Sequence, residues 1–525
     1  MANCPLAPSR QGTWCVSGDE DRQFFHAAAN CQARRNKVKV LVQDGVEIYQ
    51  NNLKLALATS YFKNLLGQPA ASLPTVQLSS LYAPTDLIEL VADFTWAEIE
   101  SAINRAPNNR SPGPDGFTNE FYKAFKHLIK DDILKFFADF HANNVLLEGI
   151  NMAYITLQPK KDTSLALGDY RPISLVHSMP KLVSKVLTNR FQCRIPDLVH
   201  PLQSGFLKGR SIIENFALAS ELVQTAHKRK LPVITLKLDF QKVFDSVSWS
   251  YLLQIFQARG FPQRWTQWIS SLLSMGKSRV LMNGELGDVF STKKGFHQGD
   301  SLSPYLFILV ADVLQHLCCM HFQTGSLLHP LGSDVLFPVL QYADATLLIF
   351  QGNLQQAQVI KNILSACSDF SSLQINFHKS TLVPVSVEAD TALEIAHLLG
   401  CPVSSFPCTY LGLPLSLNKI THGMLLRVIH KVVKRLSGWL ATFLSWGGRL
   451  MLINSVLAGI PSYFMTCFHG QRSPSITWKD SCVPFSGKER SQPRADTVLW
   501  LGTELSIHDA RLVWESGIYQ HTTKP

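Results

Sequence analysis

Apolar and polar positions along this chain recur with two different periods. From Leu87 to Ile103 the run LIELVADFTWAEIESAI spaces its apolar residues as a helix does, and Thr95 followed by Glu98 has the form of a capping box opening its second half. After the turn-forming SPGPDG at Ser111–Gly116, apolar residues recur at Phe121, Phe125, Leu128, Ile133, Phe136 and Phe140, which predicts an amphipathic helix broken into two. Ile155-Thr156-Leu157 predicts a short strand ending at Pro159-Lys160-Lys161. Helical spacing returns over 178–192 and 212–228. From Val233 to Asp239 the period becomes two, with Ile234, Leu236 and Leu238 on one face and Lys237 and Asp239 on the other, the pattern of a strand with one covered face. Leu336–Leu340 and Thr346–Phe350 flank the short polar turn Tyr342–Asp344 and predict a hairpin. Helices and strands mixed in this order predict an α+β chain.

Composition narrows the class. Of 525 residues 46% are hydrophobic and 17% charged, so the chain buries a substantial core and is not intrinsically disordered. The formal charge of +10 suits a polyanionic partner without requiring one. Eleven cysteines, an odd number with no Cys-x-x-Cys pair, imply free thiols in a reducing compartment rather than a disulfide ladder or zinc site. The N-terminal NCPLAPSRQG lacks the apolar core of a secretion signal, and the apolar stretch around Phe307–Val310 is interrupted by Asp312, so a soluble, intracellular protein without a membrane span is expected. The cluster Arg34, Arg35, Lys37 and Lys39 reads as solvated surface rather than a targeting signal.

Two carboxylates stand apart because each is set in apolar strand sequence. Asp239 ends VITLKLD, and Asp344 sits in LQYADATLLIF. Charges in such surroundings pair or bind cations, and two strand-borne carboxylates could converge on hard divalent ions beside substrate phosphates. The plainer alternative is a pair of exposed strand-end aspartates. A separation of more than a hundred positions decides nothing.

Eight segments in order decide it: SPGPDGFTNEFYKAF, DYRPISLV, QSGFLKGR, LKLDFQKVFDSVSW, GFHQGDSLSPYLFILVADVL, LQYADATLLIF, LQINFHKS and TYLGLPL. Together, over roughly residues 95–415, they resemble the successive motifs of the reverse-transcriptase core of LINE-type (non-LTR) retroelements of the kind common in plant genomes. Phe24 to Val38 resembles the segment that precedes this core in plant elements, and Leu436–Met465 resembles the family's thumb and adjoining region. The resemblance implies a right-hand polymerase fold, with fingers, a palm built on an antiparallel sheet, and a helical thumb. It implies an RNA template, a DNA primer and deoxynucleoside triphosphates as partners, Mg2+ or Mn2+ as cofactor, and a nuclear location. The implied chemistry is two-metal nucleotidyl transfer, one ion activating the primer hydroxyl and the other neutralising the leaving pyrophosphate.

Position by position, Asp239 matches the first metal-binding aspartate and Asp344 the first aspartate of the family's Tyr/Phe-Ala-Asp-Asp hairpin. The second aspartate of that pair falls on Ala345. Asp245 is no easy substitute: an extended strand would carry it about 20 Å away at ~3.3 Å per residue, and a helix would turn it to another surface. Asp300 lies in a different motif loop. Phe244 matches the aromatic that excludes a ribose 2′-hydroxyl, its alternative being a core Phe packed with Val243 and Val247. Lys160 and Arg171 match fingers positions that hold the triphosphate, chemically apt as a point charge and a bidentate fork. Gln298 and Gly299 match the segment supporting nucleotide and template, the glycine permitting close backbone approach. Here His297 and Ser301 replace residues that are often Arg and Pro. Lys379 matches a lysine region linked to proton transfer to pyrophosphate, and Tyr410, Leu411 and Gly412 the primer-gripping turn.

In the expected thumb, Leu425, Ile429, Val432, Leu436 and Leu440 form an apolar stripe, while Arg427, Lys431, Lys434 and Arg435 form a basic one suited to primer and template phosphates. The expected organisation is a linker-like region over 1–84, fingers and the start of the palm over 85–232, palm over 233–415, thumb over 416–470 and a poorly ordered tail over 471–525. The stretch ahead of residue 85 is too short for the endonuclease of full LINE proteins, so that activity is expected to be absent from this chain. The resulting expectation is an RNA-directed DNA polymerase impaired by Ala345. The alternatives are a catalytically inactive nucleic-acid-binding remnant, a translated relic, and an intron maturase, which the sequence between motifs disfavours.

Overall fold

Val233–Leu238 (VITLKL) is rich in β-branched and aliphatic residues that fit a pleated surface, and it becomes the inner strand of the larger core. The computed structural model describes residues 36–69 and 78–418, apart from 144, 146, 162 and 333–336, with isolated positions between 424 and 467. The described strands are β1 (Leu41–Gln43), β2 (Val46–Ile48), β3 (Met152–Pro159), β4 (Tyr170–Val176), β5 (Val233–Leu238), β6 (Lys277–Met282), β7 (Glu285–Leu286), β8 (Phe290–Ser291), β9 (Val339–Tyr342), β10 (Ala345–Gln351), β11 (Thr381–Val385), β12 (Cys408–Tyr410) and β13 (Leu413–Leu415). The described helices are α1 (Asn51–Leu66), α2 (Trp96–Arg105), α3 (Asn119–Phe125), α4 (Lys130–His141), α5 (Ser178–Leu198), α6 (Ile212–Lys228), α7 (Val243–Ser246), α8 (Trp249–Ala258), α9 (Gln263–Ser274), α10 (Ser303–Gln323), α11 (Leu354–Ser371) and α12 (Ala389–Leu399). The described parts of Phe25–Asn215 and Thr225–Ser405 form one unit, and those of Phe216–Gln224 and Phe406–Pro525 belong to a second.

The first unit holds two sheets. One runs β11-β5-β10-β9, antiparallel throughout. Ile234, Leu236 and Leu238 of β5 join Leu348 and Phe350 of β10 and Leu382 of β11 in the main core. The alternation expected for β5 is only half right, because Val233 and Thr235 on its other face are buried too. A strand paired on both sides and covered on both faces reads as a nearly continuous apolar run, which the single Lys237 disguised.

The second sheet runs β4-β3-β6-β7, with β8 also on β6, and β3 lies parallel to β6. Helix α1 covers it: Leu55, Ala58, Phe62 and Leu66 pack with Ile155, Leu157, Val280 and Phe290. This corrects the reading of residues 1–84 as linker-like, since Val38 to Leu66 belong to the folded unit. The stripe was hard to see because Leu53 lies outside the buried face, while Lys54 is buried within it. The Lys54 ammonium donates to the carbonyls of Val38 and Lys39, and burial holds its pKa below the usual lysine value.

Of the helices read from the sequence, those over 178–192 and 212–228 form as α5 and α6, and the one over 87–103 forms only in its second half. Residues 87–103 form a 3₁₀ turn at Ile88–Val91 and then α2, whose capping box is complete: Thr95 N–H donates to Glu98 at 2.8 Å, and Glu98 N–H donates to the Thr95 hydroxyl at 3.4 Å. Glu98 also takes a forked pair of bonds from Arg190 of α5, at 2.7 and 2.9 Å. Thr95→Ala is expected to cost ~1 kcal/mol of stability, read by chemical denaturation. The predicted broken helix is α3 and α4. Helix α10 is long and apolar enough to cross a bilayer, yet 72% of its most apolar window is buried in this unit, as in a core helix.

Candidate active site

Strand β5 delivers Asp239 one residue past its end, and the β9–β10 hairpin delivers Asp344 at its two-residue turn. Thr346 pairs with Leu238, so one further step of the register sets Ala345 opposite Asp239. Asp239 and Asp344 are close enough to interact electrostatically. Partial enclosure by protein lifts the Asp344 carboxyl above the ordinary range, and the charge of Asp239 adds to the lift, against bonds from the backbone N–H groups of Asp344 and Ala345. Two adjacent carboxylates, both at the surface, are a donor set that a hard divalent cation accepts, and a cation between them would relieve their repulsion. Among the described residues no group of three or more His, Cys, Asp or Glu completes a fuller cage.

The backbone at each carboxylate is held by residues of other motifs, none of them singled out individually by the sequence. Asp239 N–H donates to the Ser380 hydroxyl at 3.0 Å, and its carbonyl accepts from Asn376 N–H at 2.7 Å. Lys379 stands exposed in that same turn, so the INFHKS segment joins the site. On the hairpin side Ala343 adopts a left-handed φ of 54°, costly for a side chain bearing Cβ. Buried Gln203 fixes it, its Oε1 accepting from Ala343 N–H at 3.0 Å and from Gly205 N–H at 2.9 Å. A Cβ at Gly205 would lie 2.4 Å from the Ala343 nitrogen, so only glycine lets these backbones meet. Gly205→Ala should displace the turn carrying Asp344. In the Ala345→Asp background it is expected to lower primer extension roughly 10- to 100-fold while the thermal transition persists.

Lys160 and Arg171 lie at one end of the β3–β4 hairpin: Arg171 pairs with Gln158, and Lys160 N–H donates to the Asp169 carbonyl at 2.8 Å. Both side chains are exposed. Phe244 sits in the single turn α7, half-buried, its ring 5.3 Å from that of Phe307. Helix α7 begins after Lys242, whose φ is 45°, and this turn sends Asp245 inward rather than to the carboxylate pair. Asp245 is 6% exposed and accepts from Gln298 Nε2 at 3.0 Å. Gln298 also accepts from Ser174 N–H at 2.8 Å through its carbonyl, tying it to β4.

Gly299 needs its glycine for a reason other than the expected one. A Cβ there would meet Ser174 O at 3.5 Å, an ordinary contact, but its φ is 106°, where side chains rarely go. Asp300 has a structural place: its carboxylate accepts from Leu302 N–H at 3.1 Å and from the Ser303 hydroxyl at 3.4 Å at the start of α10. The Thr188 hydroxyl donates to Ser301 Oγ at 3.2 Å.

Tyr410, Leu411 and Gly412 belong to the second unit, where β12 and β13 meet through Leu411 and Gly412 at φ 48° and 81°. That pair of left-handed residues makes a tight hairpin, and Tyr463 donates to the Leu411 carbonyl at 2.9 Å. Arg427, Lys431 and Lys434, like the tail over 471–525, lie outside the described residues.

Residues 158–415 match the profile of the family described as reverse transcriptase (RNA-dependent DNA polymerase). The chain is 26% identical over 463 residues to an uncharacterised 149 kDa protein of transposon TX1 from Xenopus laevis, an alignment covering 86% of this chain and 35% of that protein. It is 25% identical over 242 residues to the Pol polyprotein of the type-1 retrotransposable element R2 of Popillia japonica, covering 45% of this chain and 33% of that one. The chain thus spans about a third of the length of these curated relatives. Among solved structures, apo telomerase from Candida tropicalis aligns with a TM-score of 0.35 at 12% identity, over 58% of this chain and 60% of that one.

Proposed function

We propose, from the premise that this chain carries the reverse transcriptase domain of a non-LTR retrotransposon protein, that it is an RNA-directed DNA polymerase whose nucleotidyl transfer is impaired at Ala345. The observation that carries this reading is the meeting of Asp239 and Asp344 at adjacent strand ends, with Ala345 at the next register position. Asp239 and Asp344 would hold divalent ions, with Mg2+ preferred and Mn2+ tolerated, and a bound ion supplies positive charge against the triphosphate and the attacking primer oxygen. Lys160 and Arg171 at the fingers hairpin would bind the triphosphate, Lys160 as a point charge and Arg171 as a fork. Phe244 would close the sugar site against a ribose 2′-hydroxyl, and Gln298 and Gly299 would bound it on the other side. Lys379, exposed beside the Asp239 turn, would hand a proton to pyrophosphate. Tyr410–Gly412 and the basic residues Arg427, Lys431 and Lys434 would hold primer and template.

The resemblance of Phe24 to Val38 and of the ordered motifs to plant elements supports an origin in an element of the plant type, acting in the nucleus. A second reading is favoured by the same Ala345: a protein that grips an RNA–DNA hybrid without extending it. Primer extension on an RNA template, with Mg2+ or Mn2+ and with chelator, separates the two. Extension by the unaltered chain at a rate equal to that of its Ala345→Asp version would refute impairment. Salt-sensitive hybrid binding with no extension by either version would favour the remnant.

A further inference from the structure

The loop that carries Gln298 is pinned along its backbone from two sides. Gly295 N–H donates to Val247 O at 2.8 Å, Phe296 N–H to Phe244 O at 2.6 Å, and the Trp249 indole donates to Gly295 O at 2.7 Å. A Cβ at Gly295 would sit 2.8 Å from the carbonyls of Phe244 and Asp245, so this backbone lies directly on α7. The bond from Ser174 N–H to the Gln298 carbonyl fixes the other side. With the main chain held, the freedom left to Gln298 is in its side chain, above all which end of the amide faces inward.

We infer that Asp245 is a positioning residue that sets this orientation, turning Gln298 Nε2 inward and presenting Oε1 as an acceptor to the incoming nucleotide. The argument is one of valence. An ionised carboxylate only accepts, so the amide must offer it N–H, and the carbonyl end is left facing away. The inference rests on the proposed function in one respect only, that Gln298 borders the nucleotide.

The surroundings of Asp245 make the orientation switchable. Ser174, Trp249, Thr292, Lys294 and His297 line a small cleft with it. Burial raises its pKa to about 6, against the Gln298 bond and the charges of Lys242 on its own turn and Lys160 from the fingers. Below that value the neutral carboxyl can donate to Oε1 as well as accept from Nε2, so the amide is no longer held to one orientation. Above it the carboxylate accepts from Nε2 and Oε1 faces the nucleotide.

Two measurements test this. In the full, otherwise unaltered chain with 15N-labelled glutamine, the side-chain amide signal that disappears in Gln298→Leu should titrate with a midpoint near pH 6. It should stop titrating in Asp245→Asn, a near-isosteric change chosen to keep the fold. A signal indifferent to pH from 5 to 8 would overturn the pairing, whatever the chain's activity. In the Ala345→Asp background, the KM for deoxynucleotide should rise roughly 3- to 10-fold below pH 6 with kcat nearly constant, about the worth of one oriented hydrogen bond. Asp245→Asn should show the raised KM at every pH, and added to Gln298→Leu it should change nothing further. A KM that ignores Asp245→Asn while the amide still titrates would overturn the positioning role. Absence of extension by Ala345→Asp would count against the polymerase reading and leave the amide titration to decide the pair.

Discussion

Ala345→Asp is expected to raise metal-dependent primer extension by about 10²–10⁴-fold. The figure follows from treating the missing carboxylate as a direct ligand worth ~3–5 kcal/mol in the transition state, more than the 10- to 100-fold typical of residues one layer out. The position is ready for it. Ala345 is the first residue of β10, pairs with Tyr342 and is only partly buried, so an aspartate there adds charge without filling packed space. Its backbone is already set by neighbours that do not depend on its side chain, through Gln203 and Gly205 on the turn and β5 alongside. Single-nucleotide incorporation on an RNA template, titrated with Mg2+, measures the gain. A change below about threefold would mean that catalysis here does not depend on a third carboxylate at position 345.

The second large effect concerns stability. Asp312 of α10 is fully buried and accepts from Arg259 at 2.5 Å and from His200 N–H at 2.8 Å, with the His316 ring nitrogen 3.1 Å away. Burial alone would push its carboxyl up, but the His316 and Arg259 contacts and the His200 N–H outweigh it, and the pKa lies below the ordinary value. Arg259, 4% exposed, also stacks 3.8 Å from the Tyr82 ring and donates to the Leu198 carbonyl. Asp312→Leu strands that guanidinium in the core and is expected to cost ~3–5 kcal/mol, read as a large fall in denaturation midpoint. Pairing it with Arg259→Met should recover much of the loss, because no unpaired charge remains. A single substitution costing under 1 kcal/mol would show that water reaches the pair. The folded-state pKa is depressed, so the contribution of Asp312 is fully present above its unfolded value near 3.9 and is lost as pH falls through the folded one.

What the chain discloses before folding depends on how local the cause is. The Thr95–Glu98 box, the break between α3 and α4 and the β9–β10 hairpin all rest on neighbours within a few positions, and each was legible. Asp239 and Asp344 stood out as charges set in apolar strand sequence, but only the ordered motifs assigned them a role. The bonds of Ser380, Asn376 and Gln203 were not legible: all three lie in quoted motifs, but each bonds backbone more than a hundred positions away. Asp245 was weighed as a substitute for the missing carboxylate and judged no easy one, and its bond to Gln298 required knowing the left-handed turn at Lys242. Helix α1 escaped because an exposed Leu53 and a buried Lys54 break its apolar stripe.

That helix bears on how the protein is cut for laboratory work. The family match begins at residue 158, inside β3, and a clone trimmed to that boundary would sever the strand and strip the cover from Val280 and Phe290. Such a fragment would present a bare aliphatic sheet face, a surface that drives inclusion-body formation. The useful start codon lies ahead of Val38, more than a hundred residues upstream of the start of the family match.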